Sequence, residues 1–135
     1  MSGKPDVAGI CHCRYCQLRS GSAFGALAYF EKEKVSLLSG NLTTHNFKSE
    51  SGNAWQTQFC PKCGTTVFLD LAVFEGKTGV DAGTFDPPTF WFDIINEVFV
   101  RSKAHFLGDI NAVNHEETFF TYDPETKDES RLMSD

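Results

Sequence analysis

The sequence predicts a mainly β domain. Short apolar or alternating segments recur along the chain, turn-forming residues separate them, and no segment sustains a long amphipathic helical pattern. Two tight cysteine clusters interrupt this pattern and mark where chemistry is expected.

Val7 to Ile10 is a short apolar run and reads as the first strand. His12 to Ser22 reads as a metal-binding turn with a short helix. Phe24 to Phe30 forms a second strand. Glu31-Lys32-Glu33-Lys34 is a charged, solvated tip. Val35 to Leu38 and Leu42 to Phe47 flank Ser39-Gly40-Asn41, a strong hairpin signal. Ser49 to Asn53 is a polar loop. Trp55 to Phe59 alternates with period two and runs into the second cysteine pair, which Thr65 to Leu71 leaves as the next strand. Val80 to Phe85 follows a turn at Glu75-Gly76-Lys77 and is closed by Asp86-Pro87-Pro88. Val98 to Val100 is a further strand candidate. The aromatic-rich stretch containing Phe85, Phe90, Trp91, Phe92, Phe99 and Phe106 reads as core.

A chain of 135 residues suits one domain, residues 1–122, with the polar, mostly acidic residues 123–135 as a frayed tail. Hydrophobic residues at 41% and charged residues at 22% indicate a soluble globular protein. The net charge of −6 disfavours nucleic acid and anionic membrane as partners. No apolar run approaches the roughly 20 residues that span a bilayer, and no apolar core of a secretory signal follows Met1. A cytoplasmic location with reduced thiols is therefore expected.

Cys11, Cys13 and Cys16 lie within the run Cys11-His12-Cys13-Arg14-Tyr15-Cys16. Thiolates at this spacing hold a metal, with Zn2+ the default. Three protein ligands leave the fourth position open, the layout of a catalytic site. Three thiolates and one divalent ion carry a net negative charge. Such a centre activates water poorly but can hold an incoming substrate thiolate, so sulfur chemistry is favoured over hydrolysis. Neighbours in an extended segment face opposite sides, so His12 is expected to point away from the ion. Arg14 and Arg19 are either solvated charges or binders of a substrate carboxylate. Tyr15 and Phe24 read as core. Cys60 and Cys63, in Phe59-Cys60-Pro61-Lys62-Cys63-Gly64, form a knuckle-like pair whose sulfurs can reach one ion. Lys103 is either a surface lysine or part of a site. His45, His105 and His115 have no ligand spacing to the cysteines.

Ile10-Cys11-His12-Cys13-Arg14-Tyr15-Cys16, followed by Ser20-Gly21-Ser22-Ala23-Phe24, resembles the glutathione-dependent formaldehyde-activating enzyme family, which also contains the centromere protein V domain. Phe59 to Thr65, Ala82 to Asp86 and Phe99 to Ala104 look like its later motifs, in the expected order. The resemblance implies a β-tent, a small zinc-ribbon-related fold of antiparallel sheets. It also implies two zinc sites: a catalytic one at Cys11, Cys13 and Cys16, and a structural one of which Cys60 and Cys63 are half. The implied activity is that of a carbon–sulfur lyase joining glutathione, or a similar small thiol, to formaldehyde or another small aldehyde.

Family members usually carry a Cys-x-Cys-Gly strand well upstream of the Cys-His-Cys run. Here only Met1 to Ile10 precede Cys11, and no such pair occurs among them. The residues leave several alternatives open: a truncated chain, ligands from a neighbouring chain or water, one zinc shared by both clusters, or a vacant second site. A missing strand also leaves a sheet edge exposed, from which a homodimer is expected. The competing function is a non-catalytic zinc-binding module for protein interaction.

Overall fold

Alternation along Val7–Cys11 buries Ala8 and Ile10 on one side and builds strand β1. The chain then turns through a short helix, α1 (Arg14–Ser20), and returns as β2 (Gly25–Glu31), antiparallel to β1. The remaining strands are β3 (Thr43–Lys48), β4 (Ala54–Phe59), β5 (Thr66–Leu71), β6 (Lys77–Asp81), β7 (Ile94–Val98) and β8 (Ala112–His115). A computed structural model describes residues 3–49 and 53–119. The acidic tail expected at 123–135 lies outside the described residues.

Among the described residues these strands form one sheet in the order β3-β4-β5-β6-β2-β1-β7-β8. The mainly β prediction holds. The expected antiparallel pattern covers most of the sheet, but β7 pairs parallel with both β1 and β8, so the sheet is mixed.

Both faces of the sheet are covered. On one, Leu27, Tyr29, Leu69 and Leu71 are buried, with Trp55, Val73 and Phe74 packed against them. The same face continues to the cysteine end, where Tyr15 of α1 meets Phe47 and Trp55, each with ring centroids 5.9 Å away. On the other face Ala28, Phe30 and Val80 are covered by Phe68, Phe85 and Phe92. Strand β2 is buried on both faces, as its position inside the sheet requires.

Three local expectations are corrected. Residues 35–42 form no strand, and only β3 of the expected hairpin exists, paired instead with β4. Val35 packs against the core, but Leu38 is 94% exposed, so the segment has no alternating buried face. The strand expected at Val98 to Val100 ends at Val98, because Phe99 adopts a left-handed conformation (φ 57°) and Val100–Ser102 forms a 3₁₀ turn. Within the aromatic stretch, Phe85 and Phe92 pack against the core, whereas Phe90, Trp91 and Phe106 are exposed.

Gly79 of β6 lies beneath the Tyr29 ring. A Cβ there would stand 2.8 Å from Tyr29 Cε1 and 3.1 Å from the Leu69 carbonyl oxygen. Replacing Gly79 with Ala should therefore displace Tyr29 and lower stability by about 1–3 kcal/mol in urea unfolding. An unchanged midpoint would show that the sheet accommodates the methyl group.

Candidate metal centre

The cysteine run is divided among three local structures. Cys11 ends β1, opposite Gly25 of β2 and Val98 of β7. Cys13 is the residue preceding the first turn of α1, and its sulfur accepts the Cys16 backbone N–H at 3.4 Å. Cys16 lies in that first turn. The chain reverses between strand and helix, so the Cys11, Cys13 and Cys16 sulfurs converge within 4.8 Å of one another. Cys13 and Cys16 are buried and Cys11 is partly so. This cluster is placed to hold a metal ion.

Within the cluster, negative charge is favoured at Cys16 and disfavoured at Cys11 and Cys13. Hydrogen bonds with Cys11 and Cys13 draw the Cys16 thiol well below its usual range; burial opposes the shift and the Arg19 charge aids it. The Cys11 thiol is pushed well above its usual range, first by its hydrogen bonds to Cys13 and Cys16, then by burial.

Arg19 is neither a solvated charge nor a carboxylate binder for substrate. Its side chain is 5% exposed, and Nη1 donates to both Asp81 oxygens, at 2.7 and 2.9 Å. A buried cation standing beside the Cys16 sulfur and hydrogen-bonding to it fits a set of thiolate ligands better than a set of neutral thiols. Gly25 makes room for this packing: a Cβ there would lie 2.6 Å from Arg19 Nη2 and 3.4 Å from Cys16 Sγ.

His12 points away from the sulfurs, as strand alternation predicts. It is fully buried, and its Nε2 bonds Glu97 Oε1 at 2.8 Å. Lys103 Nζ reaches the same oxygen at 2.9 Å, and His115 Nδ1 bonds Oε2. Gln17 fastens the cysteine loop further, with Nε2 donating to the carbonyls of His12 at 3.1 Å and Ser102 at 3.3 Å. Reading the sequence missed Asp81, Glu97, Gln17 and the role of His115. The available signal was a carboxylate, beside Asn96, between the apolar residues Ile94, Ile95 and Val98.

Cys60 and Cys63 occupy the turn between β4 and β5. The Gly64 N–H donates to the Cys60 carbonyl at 2.8 Å and Gly64 takes φ 76°. Cys63 is exposed, with Sγ 3.2 Å from Thr65 Oγ1. Among the described residues this pair does not join the triplet in one metal-sized group.

The cysteines open onto a cavity of about 130 Å³ on the Leu27 and Tyr29 face. Its wall includes Tyr15, Trp55, Phe74 and Phe99, with Arg14 and Arg101 near the cysteine end. A family model described as glutathione-dependent formaldehyde-activating enzyme matches residues 1–102. The chain belongs to this family. A comparison with curated proteins finds no match. Of the segments resembling family motifs, the cysteine triplet and Phe99 to Arg101 border the cavity, whereas the Cys60–Cys63 turn does not. No helix among the described residues is long and apolar enough to cross a membrane.

Glu97 supplies a pH-dependent prediction. Burial opposes its ionisation, but hydrogen bonds with Lys103, His115 and His12 outweigh it and hold the carboxyl at about 2, against 4.5 for a free glutamate. A folded-state value below the unfolded one contributes stability that is complete above pH 4.5 and lost as pH falls towards 2. The shift corresponds to a contribution on the order of 3 kcal/mol. Denaturation from pH 6 to pH 2 should show the stability gap between wild type and Glu97→Gln narrowing through this window. A gap independent of pH would contradict the assignment.

Proposed function

We propose that this chain is a carbon–sulfur lyase-type enzyme that joins glutathione, or a similar small thiol, to formaldehyde or another small aldehyde. The observation that carries the reading is the convergence of three cysteine sulfurs within 4.8 Å beneath an apolar cavity. Membership of the glutathione-dependent formaldehyde-activating enzyme family supports it. Cys11, Cys13 and Cys16 would hold Zn2+ as thiolates, and Cys60 and Cys63 would be half of a separate structural site.

When bound, zinc supplies an open coordination position that favours a substrate thiol in its thiolate form. The chain's own residues provide position and environment. Tyr15, Trp55 and Phe99 limit water around the sulfurs, which keeps the nucleophile poorly solvated. Arg14, at the start of α1, offers a charge to a substrate carboxylate. Arg19 and Asp81 hold α1 against β6, and His12 with Glu97 fixes the loop carrying Cys11 and Cys13. Confinement of thiol and aldehyde in one cavity replaces a bimolecular encounter with a local one. The substrate sulfur adds to the carbonyl carbon, the carbonyl π pair moves to oxygen, and that oxygen takes the proton released by the thiol. The product is a thiohemiacetal, and nothing is oxidised or reduced.

Glutathione plus formaldehyde should form adduct faster with the metal-loaded chain than without it, and chelation should remove the gain. Equal formation before and after chelation would sink the enzymatic reading. Cys13→Ser should lower metal affinity by at least about 100-fold, beyond the cost of losing a supporting partner. Metal quantification should give at least one ion per chain, held by the triplet; a second ion would mean that ligands outside the described residues, from this chain, a neighbouring chain or water, complete the Cys60–Cys63 site.

A further inference from the structure

The two ends of the cavity differ in chemistry. At one end, Cys11 pairs with Gly25 and Val98, and the charged side chains of Arg14 and Arg101 border the opening. Along β1 and β2 towards the Val7–Tyr29 pair, the lining becomes Val7, Leu27, Tyr29, Leu71, Val73 and Phe74. Among the described residues no charged side chain lines that end, and its polar members are Ser49 and Asn53, beyond the Trp55–Leu71 pair. Tyr29 and Phe74 close it, with ring centroids 4.4 Å apart.

Size sharpens the contrast. The cavity holds about 130 Å³. A cavity of about 150 Å³ lined by aliphatic and aromatic side chains stays dry and takes benzene. Formaldehyde, a single carbon and oxygen, fills little of this space and leaves the apolar wall without a partner. Glutathione carries two carboxylates, and these are matched by the arginine end rather than by the Tyr29–Phe74 end.

We infer that the aldehyde partner carries an apolar group about the size of a phenyl ring, seated against Val73, Leu71 and Phe74 while its carbonyl carbon faces the cysteine end. The inference rests on the thiol–aldehyde reading above and specifies the substrate class of the same site. The reaction is balanced as before: a sulfur–carbon bond forms, the carbonyl π bond breaks, and the thiol proton finishes on oxygen. The apolar group takes no part in the bond changes and contributes through burial alone.

The test compares two aldehydes with the full, zinc-loaded chain. Exchange-transfer NMR measures adduct formation from glutathione with formaldehyde and with phenylacetaldehyde, each divided by its uncatalysed rate. The acceleration should be larger for phenylacetaldehyde by on the order of 10- to 100-fold, the range that small apolar groups achieve in a fitted pocket. Val73→Phe, which fills the apolar end, should reduce that ratio. A separate measurement needs no turnover. Titration with 2-phenylethanol should give a saturable change in tryptophan emission, because Trp55 lines the cavity, and Val73→Phe should weaken it. If the variant does not fold, the two aldehydes and the alcohol titration on the wild type still decide. Acceleration of formaldehyde alone, with no saturable response to 2-phenylethanol, overturns the inference and leaves the condensation reading standing. Acceleration of neither aldehyde overturns the condensation reading and this inference with it.

Discussion

The parallel pairing of β1 with β7 is the constraint on which the rest depends. It sets Ile10 opposite Glu97 and Cys11 opposite Val98, and extends one residue further through the His12 N–H bond to the Val98 carbonyl at 3.1 Å. That register sends Cys11 and the cavity to one face and places His12 beside Glu97 on the other. A slip of one residue would exchange the two sets. Parallel strands cannot be joined by a tight turn. Here the connection from β1 to β7 runs through α1 and every strand from β2 to β6. The cysteine loop is therefore fixed by the closing of the whole sheet, even though its ligands are neighbours in sequence.

Each face carries a buried charge close to this loop, and each is matched differently. Arg19 lies on the cysteine side against Asp81, and Glu97 lies on the far side against Lys103 and two histidines. Breaking a buried pair by removing one partner leaves an uncompensated charge, which costs far more than the pair contributes. Both clusters thus act as locks. Asp81 fixes the end of β6 against α1, and Glu97 fixes β7 against the residue between two cysteines. The cysteine sulfurs are held from two directions by interactions that do not involve the cavity.

The sequence exposed the parts of the fold that local pattern controls. Val7–Cys11, Ala54–Phe59 and Thr66–Leu71 were legible because alternation or apolar content matched a half-buried strand. The cysteine triplet was legible because its ligands lie within six residues, and the orientation of His12 followed from strand geometry. What escaped was long-range. Glu97 is 85 residues from His12, and Asp81 is 62 from Arg19, so neither pairing leaves a local trace. Strand β8 was missed because Asn114 and His115 are exposed and Ala112–His115 lies at a sheet edge, where burial imposes no pattern. The strand expected at residues 35–38 failed for the opposite reason: Val35 packs against the core, but Leu37 and Leu38 beyond it are exposed and pair with no strand.

The contrast between the two cysteine clusters shows why spacing alone does not assign chemistry. Cys13 and Cys16 share the two-residue spacing of Cys60 and Cys63. The first pair straddles the start of a helix that closes back onto β1, so Cys11 is brought in as a third sulfur and Arg19 as a buried countercharge. The second pair sits on a turn between two antiparallel strands, where Cys63 is exposed and the nearest hydroxyl belongs to Thr65. A strand-to-helix reversal converges three sulfurs and buries two of them; a strand-to-strand turn presents two, of which Cys60 is partly buried and Cys63 is exposed. An open, poorly solvated thiolate site can discriminate between substrates, because whatever reaches the sulfurs must also satisfy the wall beside them. The Cys60–Cys63 turn does not border the cavity and has no such wall. Cys11, Cys13 and Cys16 are therefore the group placed to hold a metal ion, whereas Cys60 and Cys63 stand apart from it on the β4–β5 turn.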